Sequence, residues 1–254
     1  MDVWRTAIVA SDATQIWLRG RPIGPLMRSA TFTDAIVLVH FGRLPSPGER
    51  RLLDAILIGV LDHGPGAPSC AAARLAASGN RQSISAAIAA GLLAIGDEHG
   101  GAGATCMELI AEGKALARED GLSIGAAAAA LVDRAIHARR RLPGLGHRVH
   151  TVDPRVQVLF DMAAEEGLSG TGIAFVRALE QEASARIKPL PINIDGALAA
   201  VLYDMGFPSS AGKFIFIIGR VAGIAAEVAE EYARERPMRI RIPVEYDGEP
   251  LRTD

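Results

Sequence analysis

Ile84–Gly96 reads Ile-Ser-Ala-Ala-Ile-Ala-Ala-Gly-Leu-Leu-Ala-Ile-Gly, and Asp97-Glu98-His99-Gly100-Gly101-Ala102 follows without a break. The first stretch is the longest apolar run of the chain. It is too short to span a bilayer and predicts a buried helix. The second places a histidine between carboxylates and glycines where one helix stops and the next starts. The same alternation recurs. Asp62-His63-Gly64-Pro65, Gly144-Leu145-Gly146-His147-Arg148 and Asn193-Ile194-Asp195-Gly196 each interrupt an apolar helical context. Glycine there lets a ligand approach backbone, and helix N-termini favour anions. His and Asp move protons near neutral pH. The layout is that of an active site assembled from several loops.

Around these segments apolar residues recur at three and four positions rather than two. Helices are expected at 34–42, 48–62, 69–78, 81–95, 101–118, 122–138, 154–166, 170–187, 193–206 and 211–234, separated by Gly/Pro/Ser/Asp clusters. Strands are expected only at 5–18 and in 239–246. Ala71-Ala72-Ala73 and Ala126–Ala130 permit close helix–helix approach or a helical subunit interface. The fold class is therefore all-α, one main domain over 1–254. A small cap region is expected at about 140–205.

Composition narrows the function. The chain has 254 residues, 27 basic and 29 acidic, for a net charge of −2. That balance gives no general pull toward nucleic acid or an acidic membrane. Two cysteines, Cys70 and Cys106, make neither a disulfide scaffold nor a zinc spacing. With no basic-then-apolar leader at Met1-Asp2-Val3-Trp4-Arg5, a cytoplasmic protein is expected. There is no phosphate loop or dinucleotide fingerprint.

Each polar residue also has a plain explanation. His63 suits a helix C-terminus, His99 a polar loop, and Asp195 an N-cap. His40, His137 and His150 fit that view and receive no role. His63, His99 and His147 differ because each sits in a glycine-bearing segment at a helix end. Arg220 lies inside the apolar run Phe214–Gly223, where a buried arginine needs a partner: an anionic ligand or an internal acid. Arg155 follows Asp153-Pro154, and Arg241 lies in the alternating tail Arg239-Ile240-Arg241-Ile242. Arginines with histidines suit a small di- or tricarboxylate, since guanidinium binds carboxylate bidentately.

These segments together resemble the citrate synthase family. The order and spacing of Asp-His-Gly-Pro at 62–65, His-Gly-Gly-Ala at 99–102, Gly-Leu-Gly-His-Arg-Val at 144–149, Asp153-Pro154-Arg155, Asn193-Ile194-Asp195 and Gly219-Arg220 agree over about 50–246. Trp17–Ile23 and Gly42–Ser46 resemble the family's opening. The chain is shorter than a full synthase and is more similar to citryl-CoA lyase and to the citrate-synthase-like C-terminal portion of ATP-citrate lyase. The spacing from His147 to Asp153-Pro154-Arg155 is one residue shorter than in typical synthases, and His99 follows the synthase pattern.

The resemblance implies an intertwined homodimer and Claisen-type chemistry linking acetyl-CoA and oxaloacetate through citryl-CoA. It implies Asp195 as the carbon acid–base group, His99 at the thioester enol oxygen and His147 at the oxaloacetate carbonyl or citryl hydroxyl. His63, Arg155 and Arg220 would hold carboxylates, Arg241 would do so from the partner subunit, and Arg148 would meet the CoA phosphates. No metal or redox cofactor is implied, since the coenzyme A thioester is itself a substrate. Nucleic acid and membrane partners are not expected. A short citrate synthase is the alternative of the same class, and a non-catalytic CoA-binding regulatory subunit is the alternative of another.

Overall fold

The computed structural model describes residues 3–146 and 151–249. Three short strands, β1 (Val9–Ser11), β2 (Ile16–Leu18) and β3 (Arg21–Pro22), form an antiparallel sheet in that order, with Val9 opposite Leu18 and Trp17 opposite Pro22. Everything else regular among the described residues is helical. The helices are α1 (Ile23–Ser29), α2 (Phe32–Phe41), α3 (Pro47–Val60), α4 (Pro68–Gly79), α5 (Ile84–Leu93), α6 (Ala102–Glu119), α7 (Ile124–His137), α8 (Pro154–Glu165), α9 (Thr171–Arg186), α10 (Ile194–Asp204) and α11 (Ala211–Arg234).

Local chemistry sets the ends. Thr31 and Asp34 form a reciprocal capping box on α2, and Ser46 and Glu49 form one on α3, where Pro47 stands in the first turn. Asp153 caps α8, again ahead of a proline. α1 was not among the expected helices; its Pro25 sits in the first turn, where a helix accepts it.

The chain divides into two compact units. The larger comprises 1–61 and 97–219, the smaller 62–96 and 220–254, the last boundary falling inside α11. Residues 140–205 all belong to the larger unit. In that unit α10 is the central element. It contacts α3, α6, α8 and α9, and every residue from Gly196 to Leu202 is buried. A helix apolar all round is an interior helix. In the smaller unit α4 and α5 pack together, and Ala73, Ala77 and Ala87 form a small-residue core with Ile224 and Val228 of α11. A Cβ on Gly91 would stand 2.8 Å from the Ser69 carbonyl oxygen and 2.9 Å from Ile224 Cγ2, so this core is set by backbone-close approach.

Residues 239–246 carry no strand, contrary to their alternating pattern. After α11 the chain turns at Met238, whose φ is +56° and whose N–H donates to the Ser78 carbonyl at 2.9 Å. Arg239 then points back to α11, bonding Glu231 at 2.5 and 2.9 Å and Glu235 at 3.1 Å. Ion pairs with a helix, not a ladder, fix the tail's first residue.

Candidate active site

In the larger unit the site is built around the first turn of α10. Asn193 caps it, its Oδ1 accepting from the Gly196 N–H at 3.1 Å. Asp195 is therefore not the cap, which removes its plain explanation. It stands half-buried in the first turn, where the helix dipole favours a carboxylate. Cys106 of α6 lies near it. The thiol is pushed up to about 12, first by complete burial and then by the charge of Asp195. A thiol that stays protonated is an inert wall beside the carboxylate.

The loop that leads to His147 is fastened to the same turn. Gly146 N–H donates to the Pro191 carbonyl at 2.7 Å, Asn193 N–H to the Gly144 carbonyl at 3.0 Å, and Asn193 Nδ2 to the Gly146 carbonyl at 2.8 Å. Leu145 and Ile192 form an antiparallel bridge. Only glycine fits: Gly144 has φ +80°, and a Cβ there would meet Gly196 Cα at 2.7 Å and Cys106 Sγ at 2.8 Å. His147 and Arg148 themselves lie outside the described residues.

Arg155, in the first turn of α8, is held by its neighbour. Its Nε and Nη2 donate to the two oxygens of Asp153 at 2.8 and 2.7 Å, and its Nη1 donates to the Gly59 carbonyl at 2.9 Å. The Asp153 side chain has no exposed surface, and its Oδ2 also accepts from the Ile194 N–H at 3.0 Å. His99 lies just before α6, half-buried, with its ring edge-on to Phe216 at 6.1 Å between centroids. The structure therefore assigns His99, Arg155 and Asp195 to one unit.

His63, Arg220 and Arg241 belong to the other. Arg220 is 3% exposed and donates from Nη1 to Ser69 Oγ at 3.2 Å. His63 is exposed, following Asp62, whose oxygens accept from the Gly64 N–H at 3.2 Å and the Cys70 thiol at 2.9 Å. Arg241 is exposed in the tail. Burial drives the Asp62 carboxyl up, but the Cys70 thiol and the His63 and Gly64 amides outweigh it and leave the group below its ordinary value. The same burial, then Asp62, pushes Cys70 up to about 11. One ligand atom each of Asp62, Cys70 and Glu227 falls within 4.8 Å of the others. Two cations reach this cluster: Arg74 is bonded to Glu227, and the charge of Arg220 acts on Cys70. Burial raises the Glu227 carboxyl above its usual range, with Asp62 adding to the rise, although Arg74 opposes it.

Sequence reasoning singled out neither Cys106 nor the buried role of Asp153, because both depend on contacts far apart in the chain. Asn193 was quoted only as the lead to Asp195, although the Asn-x-x-Gly pattern carries the cap signal. Asp153-Pro154 does signal a helix start.

Residues 44–241 match the family model described as citrate synthase, C-terminal domain. The solved structure of citryl-CoA lyase from Hydrogenobacter thermophilus superposes with a TM-score of 0.87 and 36% identity, covering 99% of this chain and 97% of that one. The citrate/2-methylcitrate synthase of Bacillus subtilis is 29% identical over 87% of this chain, but this chain spans only 58% of its length. ATP citrate lyase of Methanosaeta concilii, solved with (3S)-citryl-CoA, shares the fold at a TM-score of 0.78 and 19% identity, over 97% of this chain and 42% of that one.

Proposed function

Since the chain belongs to the citrate synthase family, we propose that it is a citryl-CoA lyase-type enzyme, cleaving citryl-CoA to acetyl-CoA and oxaloacetate. The observation that carries this reading is the end-to-end match to a citryl-CoA lyase, 36% identical over 99% of this chain and 97% of that one. The synthase relative is much longer.

The chemistry follows from the residues. A base, His147, takes the proton of the citryl hydroxyl. The carbon–carbon bond breaks, its electron pair passing to the acetyl portion as an enolate while the hydroxyl carbon becomes the ketone of oxaloacetate. His99 donates to the enolate oxygen, the kind of oriented donor that lowers such a barrier. Asp195, protonated, delivers its proton to the methylene carbon and forms the methyl of acetyl-CoA. Atoms and charge balance, and the reverse sequence makes the bond. His63, Arg155 and Arg220 neutralise substrate carboxylates, Arg241 does so for a partner subunit of a homodimer, and Arg148 meets the CoA phosphates. The chemistry calls for no metal or redox group. No helix among the described residues is long and apolar enough to cross a membrane, and the two buried free thiols suit the cytoplasm.

The test is purified protein with synthetic citryl-CoA. Oxaloacetate and acetyl-CoA are the expected products. Citrate with free CoA would make it a short synthase, and CoA binding without turnover or methyl-proton exchange would make it a regulatory subunit. Asp195→Asn is expected to keep the fold and lose about a hundredfold or more in turnover; near-normal turnover would remove Asp195 from the chemistry.

A further inference from the structure

Among the described residues, Asp153 accepts from four N–H groups on two elements. Oδ1 takes the Arg155 amide at 3.1 Å and Arg155 Nε at 2.8 Å. Oδ2 takes Arg155 Nη2 at 2.7 Å and the Ile194 amide, the first of α10, at 3.0 Å. A fully buried carboxylate that served only as the cap of α8 would not need the α10 contact. The fork of Arg155 is also fixed in its plane: the Nε/Nη2 edge faces Asp153 and Nη1 holds the Gly59 carbonyl. Guanidinium has five N–H groups. These three bonds leave one on each terminal nitrogen for a second acceptor, the arrangement a substrate carboxylate needs.

We infer that Asp153 is a positioning residue that locks Arg155 and the first turn of α10 into one arrangement, so that carboxylate binding and proton transfer at Asp195 depend on the same buried group. The inference rests on the roles given above to Arg155 and Asp195. Its physical basis is distance. The carboxylate base is one residue from the Ile194 amide that Asp153 holds, and misplacing a reacting group by about 1 Å costs on the order of a hundredfold in rate.

The wild-type protein is assayed first with citryl-CoA, so the functional reading stands or falls before any variant is made. Asp153→Asn, Arg155→Lys and Ile194→Pro are then compared. The asparagine amide cannot accept all four donors. Lysine keeps a charge for Asp153 but loses the fork. Proline at the first helical position removes the N–H that α10 contributes together with part of the buried Ile194 side chain, so Ile194→Ala, which keeps the N–H, is its control. Amide deuterium exchange is followed over 153–157 and 192–197, with oxaloacetate affinity and exchange of the acetyl-CoA methyl protons. Asp153→Asn is expected to speed amide exchange in both segments, to weaken oxaloacetate about tenfold, and to slow methyl-proton exchange about a hundredfold. Arg155→Lys should lose affinity yet keep methyl-proton exchange at saturating oxaloacetate, and Ile194→Pro should show the reverse. If Asp153→Asn changed only one segment, or only one of the two functional readouts, Asp153 would be a simple helix cap and the inference would be overturned. Should that variant fail to fold, Ile194→Pro decides, and wild-type methyl-proton exchange in it would overturn the coupling. Amide exchange reads the linkage even if the wild-type protein had a different substrate.

Discussion

In the larger unit, polar chemistry is placed on an apolar axis: α10 is buried from Gly196 to Leu202, and its first turn is held by backbone carbonyls, by Asn193 and by Asp153. The smaller unit has the opposite composition. Its apolar core is mostly alanine, and charge fills the remaining space. Arg74 bonds Glu227, Glu230 and Glu231, and Glu231, fully buried, also takes Arg239. Arg81 donates to the carbonyls of Glu231 and Glu235 at 2.9 and 2.8 Å and stacks over Tyr232. Around α10 the larger unit fixes its geometry by glycine-tight fit and bonds to backbone, with Asp153–Arg155 as the one charged pair at that turn among the described residues; the smaller gathers its charge into an Arg–Glu network along α11. A methyl group at Gly196 tests the first, and loss of the Arg74 charge tests the second.

The largest effect should come from the smaller unit's central cation. Arg74→Met leaves Glu227 without its guanidinium and Glu231 with Arg239 alone. Breaking a buried pair from one side costs about 3–5 kcal/mol. Urea unfolding followed by amide exchange in 70–79 and 225–235 should show that loss. Adding Glu227→Gln should recover part of it; no recovery would mean that packing, not charge, holds the unit.

Gly196→Ala tests the other side of the comparison. The new methyl drives into the Gly144 carbonyl. Overpacking of this kind costs about 1–3 kcal/mol, but turnover of citryl-CoA should fall much further than stability, because the displaced loop is the one leading to His147. Equal losses in both would mean that the loop's position is immaterial to the chemistry.

These contrasts explain what the sequence disclosed. The ten expected helices all exist, because their ends are written locally in Ser46-Pro47 with Glu49, in Asp153-Pro154, and in Asn193 with Gly196. The tail was misread for the same reason. Arg239-Ile240-Arg241-Ile242 alternates as a strand does, and nothing within it reveals that Arg239 pairs with Glu231 and Glu235. The candidate histidines, Asp195 and Arg220 stand out in the sequence because each lies in a glycine-bearing segment. The grouping of the site residues is not legible there: His99, Arg155 and Asp195 share one unit and His63, Arg220 and Arg241 the other, a division made by packing between segments over a hundred positions apart. The contact of Asp153 with Ile194 spans 41 positions and leaves no periodic trace.

Acid should act on the smaller unit through two glutamates of opposite sign. The Glu231 carboxyl is driven up by burial but held below its ordinary value of 4.5 by Arg239 and Arg74. Its contribution is present above that value and is lost as pH falls through the lower folded-state value. Glu227 has the opposite sign: raised above 4.5, it favours the fold most when protonated, and that contribution is lost as pH rises through its folded-state value. Amide protection in 225–235 should therefore rise slightly as pH is lowered toward 4.5 and fall below it. A monotonic decline from neutrality would show that the Glu227 carboxyl is not raised above its ordinary value.

The smallest effect compares two caps within the larger unit. Ser46 caps α3 and Asn193 caps α10, each accepting from an N–H three residues on, at 3.2 and 3.1 Å. Replacing either by alanine should cost about 1 kcal/mol. Only Asn193 also holds the Gly146 carbonyl, beside His147, through its Nδ2. Ser46→Ala should therefore leave turnover near wild type, while Asn193→Ala, with a similar fall in melting temperature, should reduce it by tenfold or more, on the order of what misplacing a catalytic loop costs. Asn193→Ser separates the two jobs: serine restores the cap but cannot donate to Gly146. Stability regained without activity would show that the donor to the loop is what the chemistry needs. Activity regained along with stability would show that the first turn of α10 alone sets the position of Asp195, and that the loop finds its place through backbone bonds.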